Sequence, residues 1–148
     1  MIRLAGSLER GSGRPLAAAV VAGSVERHVQ LLSSTVFASH TGSEAAGTID
    51  GRAVALGSPA MVADQKIDVG ALGTRAEEMR ADGQTVMYVI VDGAFAGLIG
   101  VADPIKATTA DAIRELHAAG ISVVMMTADS KTTAAALAKT ILIDEVAA

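Results

Sequence analysis

The chain has 148 residues, 51 % of them hydrophobic, and carries a net charge of −4 from 12 basic and 16 acidic side chains. That balance argues against nucleic acid or an anionic membrane surface as the main partner, and 2 % aromatic residues leave no platform for stacking bases. The absence of cysteine removes disulfides, thiolate metal sites and a thiol nucleophile together, and His28, His40 and His117 are too widely spaced to predict a metal site.

No apolar run approaches the roughly 20 residues that span a bilayer. The apolar stretch at 16–21 is too short for a secretion signal and is preceded by the charged Glu9 and Arg10. A cytoplasmic location is therefore expected. Leu, Ala and Val at helical spacing predict helices over 4–10 and from Pro15 to about His28, separated by "GSGRP" at 11–15. Residues 29–41 fit either a strand or a loop. From residue 47 the period becomes two, and Asp50-Gly51 signals a hairpin. A strand through "RAVALG" then reaches a turn at Gly57-Ser58-Pro59. A helix is predicted over 70–81, stopped by Gly83, and "TVMYVIVDGAFAGLIGVAD" reads as two strands joined at Asp92-Gly93.

Residues 1–102 thus predict an α+β fold, an antiparallel sheet flanked by helices. Residues 103–148 follow a different logic. Thr108 or Thr109 caps a helix with Ala110, Ile113 and Leu116 as its apolar stripe, and Gly120 stops it. "ISVVMM" at 121–126 reads as a strand covered on both faces, and "KTTAAALAKT" as a further helix. This is an α-β-α fragment of a parallel sheet. Its strand, short of neighbours, predicts either a homodimer through the exposed sheet edge or irregular packing beyond about residue 105. Met79, Met87, Met125 and Met126 are expected in core packing, with no metal-binding role.

Four segments in order resemble the ATP-binding cytoplasmic region of heavy-metal P-type ATPases, the copper, silver, zinc and cadmium exporters. "SLERGSGRPLAAAVV" is similar to that family's helix followed by Ser-Glu-His-Pro-Leu-Ala. "TGSEAAGTIDGRAVALGS" is similar to its glycine-rich hairpin. "DGQTVMYVIVDGAFAGLIGVADPIK" and "AIRELHAAGISVVMMTADSKTTAAALA" follow its passage into the phosphorylation domain, which is built on a parallel HAD-like sheet. The resemblance implies a nucleotide-binding domain over 1–102 and part of a phosphorylation domain over 103–148.

The resemblance also implies a set of ATP-facing positions: Ser12, Arg14, Pro15, Gly42, Glu44 and Gly47. In the family a histidine packs on the adenine where Arg14 stands here. Arg14 fits equally a planar cation stacked on a purine and a solvated residue ahead of a helix. Gly13 cannot accept the base's amino group. Gly42 and Gly47 keep the outer positions of the glycine-rich turn, where backbone approaches the nucleotide closely. Glu44 replaces the middle glycine and predicts weak ATP binding by bulk and like-charge repulsion. Thr127 and Asp129 resemble a Thr-Gly-Asp motif that faces phosphate at a strand's carboxyl end, where ligands of open parallel sheets sit.

Neither the family's phosphorylated Asp-Lys-Thr-Gly-Thr nor its Gly-Asp-Gly-x-Asn-Asp loop occurs in these residues. Phosphoryl transfer needs an in-line nucleophile and a metal, so the chain alone is expected not to be catalytic, with magnesium acting only in the intact enzyme. Its implied partners are the nucleotide and the phosphorylation, actuator and membrane domains of a metal pump. A second reading is a degenerate paralogue without ATP affinity, serving as an interaction or regulatory module. A stand-alone phosphatase ranks last, because no Asp-x-Asp pair is present.

Overall fold

A computed structural model describes residues 1–40 and 44–147. The chain forms two compact units, one of residues 1–73 and 86–101, the other of residues 74–85 and 102–147. In the first, α1 (Ile2–Glu9) and α2 (Ala17–Glu26) precede β1 (Ser34–His40), β2 (Glu44–Ile49) and β3 (Arg52–Gly57). After α3 (Pro59–Asp64) and α4 (Leu72–Ala81) the sheet resumes with β4 (Thr85–Val91) and β5 (Ala94–Val101). The five strands lie in sequence order, β1-β2-β3-β4-β5, and the first four pair antiparallel.

Two turns fix the register. Asp50 (φ 53) and Gly51 (φ 74) join β2 to β3, and Asp92 (φ 52) and Gly93 (φ 77) join β4 to β5. Two consecutive left-handed residues match the twist of the flanking strands. The turns are also tied across the sheet. The Asp92 carboxylate accepts from Arg52 Nε at 2.8 Å and from the Ala53 N–H at 2.9 Å, while the Asp92 N–H donates to the Ala53 carbonyl.

Alternation along the strands puts Ala45, Ile49, Val54, Leu56, Val89 and Val91 into one core with Ala5 and Leu8 of α1 and Val20 of α2. Each fully buried Leu, Ile or Val contributes about 1.5–3 kcal/mol of transfer free energy. Gly6 lets the two helices close. A Cβ there would overlap Ser24, and Leu31 Cδ2 would lie 2.9 Å away. The Ser24 hydroxyl is satisfied by donating to the Val20 carbonyl at 2.8 Å, and Ser7 Oγ accepts the Leu32 N–H at 2.8 Å.

The second unit contains most of α4, α5 (Thr109–Ala118), β6 (Val124–Met126), α6 (Lys131–Ile141) and β7 (Glu145–Ala147), with β6 and β7 paired in parallel. Ser130 caps α6 by accepting the Thr133 N–H at 3.1 Å. The Thr133 hydroxyl donates to the Gln84 carbonyl at 3.0 Å, tying α6 to the end of α4. Asp144 accepts from the Val123 N–H at 2.7 Å and lies 2.9 Å from His117 Nε2. That backbone bond first, and His117 second, hold the Asp144 carboxyl below the usual carboxylate range.

Several expectations are corrected. The second helix begins at Ala17 instead of Pro15, and the turn expected at Gly57-Ser58-Pro59 leads directly into α3, with Pro59 in its first turn where a missing N–H is harmless. Thr108 occupies the N-cap of α5 without a side-chain bond, and Asp103–Lys106 form an irregular segment ahead of it. The strand expected over 121–126 spans only Val124–Met126 and is not covered on both faces: Val124 is 51 % and Met126 84 % exposed. Ile121 is drawn instead into the close of α5, its N–H donating to the Leu116 carbonyl at 3.0 Å. Met126 is therefore no core residue, whereas Met87 is.

Candidate functional site

Over β2 and β3 the sheet face turned away from α1 and α2 is built of small residues, with Ile90 of β4 beside Ala55. Ala46 and Thr48 of β2 stand beside Ala55 and Ala53 of β3 in register. With Gly47 and, from the close of α3, Gln65, they line a cavity of about 340 Å3. That volume lies within the range of small-molecule sites. The cavity exists because alternation gives the larger apolar side chains of these two strands to the core and leaves methyls on the other face.

Glu44 begins β2 directly opposite the end of β3. A Cβ on Gly57 would meet Glu44 Cγ at 3.0 Å, so the Glu44 side chain lies across that glycine. Its carboxylate acts electrostatically on Arg14. Burial lowers the Arg14 guanidinium from its ordinary pKa, and Glu44 pulls it back up.

Arg14 is paired with Glu9. Its Nη2 meets Glu9 Oε1 and its Nε donates to Oε2 at 3.4 Å, with the Arg14 side chain 10 % exposed and that of Glu9 fully buried. Ser12 Oγ accepts the Arg14 N–H at 3.2 Å, shaping the turn that leads past the exposed Pro15 into α2. The solvated reading of Arg14 is thus replaced by a buried ion pair. Glu9 was not among the sequence-derived site residues. A lone acid closing an apolar helix, five residues before an arginine across a Gly-Ser-Gly turn, was the signal available.

Of the sequence-derived positions, Ser12, Arg14 and Glu44 fall around one charge cluster with Glu9, and Gly47 lines the cavity. Gly42 lies outside the described residues. Thr127 and Asp129 belong to the second unit, in the loop between β6 and α6. Thr127 Oγ1 accepts the Asp129 N–H at 3.0 Å, and both Asp129 carboxylate oxygens accept from the Thr85 hydroxyl, at 3.0 and 3.1 Å. Sequence reasoning missed Thr85, 44 residues away, because nothing local links the two. Among the described residues no group of three or more acidic, histidine or cysteine side chains is placed to hold a metal ion, and no helix is long and apolar enough to cross a membrane.

The chain is 51 % identical over all its 148 residues to a copper-transporting P-type ATPase of Rhizobium leguminosarum bv. viciae, and 37 % identical over the same length to a silver exporting P-type ATPase of Salmonella typhimurium. In each case it spans 18 % of the relative. A zinc-transporting PIB-type ATPase solved in the E2.Pi state matches 97 % of the chain, with TM-score 0.73 and 27 % identity, over 23 % of its own length. The N-domain of the copper-transporting P-type ATPase HMA8 matches 67 % of the chain, with TM-score 0.52 and 27 % identity, over 82 % of that domain. Residues 1–147 match the family model of haloacid dehalogenase-like hydrolases. The chain belongs to that family, and within it its similarity lies with the heavy-metal P-type ATPases.

Proposed function

We propose that this chain is the ATP-binding cytoplasmic part of a heavy-metal-exporting P-type ATPase, with a nucleotide-binding domain over 1–102 and a piece of the phosphorylation domain over 103–148. The observation that carries it is the small-residue cavity at Gly47, in a chain similar over its whole length to 18 % of a copper-transporting ATPase. The described residues gather no carboxylate cluster for magnesium, so no step is assigned to the ion here. The work of these residues is to bind and orient ATP, while the phosphorylated aspartate, the actuator and the membrane domains belong to the rest of the pump.

The charges set the affinity. Around the cluster two carboxylates, Glu9 and Glu44, outnumber the single guanidinium of Arg14, so a triphosphate meets a net negative corner. ATP binding is weak on this account. The alternative, a paralogue that no longer binds ATP, draws on the same observation: Arg14, at the position of the family's adenine-packing ring, is spent on Glu9.

Titrating ATP with magnesium into the 15N-labelled chain separates the two. Localised amide shifts at Arg14, Glu44, Gly47 and Thr48, saturating at millimolar ATP, support nucleotide binding. A spectrum unchanged through that range supports the paralogue.

A further inference from the structure

At the carboxyl end of β6, in the parallel pair β6–β7, the chain runs through Thr127-Ala128-Asp129 before α6. Ligands of open parallel sheets sit outside that edge. The loop is pinned at its start by the Thr127 N–H, which donates to the Ala147 carbonyl at 3.0 Å. Thr127 Oγ1 accepts the Asp129 N–H at 3.0 Å. A hydroxyl whose oxygen accepts one bond keeps its own proton for a further acceptor. Thr127 is thereby set up as a donor at the strand end.

Asp129 is the competitor for that proton. Its carboxylate stands two residues away, and a carboxylate free to rotate is a ready acceptor for a hydroxyl. The Thr85 hydroxyl prevents the rotation. It lies 3.0 Å from one Asp129 carboxylate oxygen and 3.1 Å from the other, so it sits astride the group. Thr85 is itself firmly placed. A Cβ on Gly83, whose φ is 79, would lie 3.2 Å from Leu137 Cδ2, and the Gln84 carbonyl accepts from the hydroxyl of the buried Thr133 at 3.0 Å. These two contacts suffice to dock residues 83–85 on α6. The third joins two half-buried polar side chains and adds no apolar burial.

We propose that Thr85 is a positioning residue of the strand-end loop: by holding the Asp129 carboxylate aside, it leaves the Thr127 hydroxyl open to donate to a phosphoryl oxygen. The proposal rests on the phosphorylation-domain reading of residues 103–148. Thr85 touches no ligand and acts only through Asp129.

The test titrates inorganic phosphate into the 148-residue chain at fixed ionic strength and follows the amides of Thr127, Ala128 and Ser130. The native chain should show saturable shifts there. Thr85→Val keeps the side-chain shape and loses the hydroxyl; it should weaken phosphate binding roughly tenfold, the scale of one hydrogen bond to a charged group. Thr85→Ser should restore the native affinity. Asp129→Ala, free of the carboxylate, should bind phosphate at least as tightly as the native chain, and adding Thr85→Val to it should change nothing further. A thermal melt checks the folding of each variant, and the Asp129→Ala result stands whether or not Thr85→Val folds. A folded Thr85→Val chain with native affinity, a loss that Thr85→Ser does not restore, or weakened binding in Asp129→Ala overturns the proposal. In each of these cases the native loop shifts leave the phosphorylation-domain reading standing. A native chain silent at the loop up to the solubility limit of phosphate removes that reading of the loop and the proposal with it.

Discussion

Replacing Arg14 by methionine tests the buried pair directly. The change removes the cation and keeps much of the aliphatic stem, so packing is little altered and the Glu9 carboxylate is left buried without its partner. The Glu9 side chain is fully buried and that of Arg14 only 10 % exposed, so water cannot replace the lost cation without opening the α1–α2 junction. Breaking such a pair from one side costs about 3–5 kcal/mol, a large part of the roughly 5–15 kcal/mol that holds an ordinary domain together. With a urea m-value of about 1.5 kcal/mol/M, the midpoint should fall by about 2–3 M. The single tyrosine, Tyr88, is buried in the same unit, its ring centroid 5.9 Å from that of Phe95, and in a chain without tryptophan it reports unfolding by fluorescence. The double variant Glu9→Leu/Arg14→Met removes both charges and should recover most of the loss, because an apolar pair of similar volume is often as stable as a buried ion pair. A single variant that loses less than about 1 kcal/mol, or a double variant as damaged as the single, would refute the buried-pair argument.

Two further outcomes follow from the geometry. Gly6→Ala forces a methyl against Ser24 and Leu31; overpacking of about 1–3 kcal/mol should outweigh the roughly 1 kcal/mol gained in helix propensity, and adding Ser24→Gly should restore part of the loss in the same urea assay. The Asp92 carboxyl is held below its ordinary pKa chiefly by the bond from Arg52, so it stabilises the fold above the usual carboxylate range near pH ~4 and loses that effect as pH falls through its lower folded value. A 13C titration should place its midpoint below that of a free aspartate, and Asp92→Asn should flatten the acid limb of the stability profile.

The sheet was legible where its information is local. Asp50-Gly51 and Asp92-Gly93 each demand two left-handed residues and announce their own turns, and the period-two pattern of β2 and β3 follows from burying one face. The parallel pairing of β6 with β7 was legible only as an expectation that "ISVVMM" needs a neighbour. Its short length was not, because the bond that commits Ile121 to α5 competes with strand extension and leaves no mark in hydropathy. The site was harder. Gly47 sits in the cavity lining, but the role of Arg14 was hidden because an ion pair depends on where Glu9 is placed by the packing of α1, a tertiary fact. Gln65 was invisible for the same reason: no motif contains it, and only the fold brings the end of α3 to the alanine face.

The order in which the polypeptide visits its two units has a practical consequence. It enters the second unit at residue 74, returns to the first at 86 and leaves again after 101, three passages in all. No single uninterrupted stretch therefore contains either body. A protease cutting beyond Val101 would take away the partners of the 74–85 excursion: Thr133 from the Gln84 carbonyl, Asp129 from the Thr85 hydroxyl, and the Leu137 side chain that lies against Gly83. The remaining amino-terminal fragment should keep its sheet and lose the end of α4, so further digestion would fall between Ala81 and Thr85 before it reached the strands.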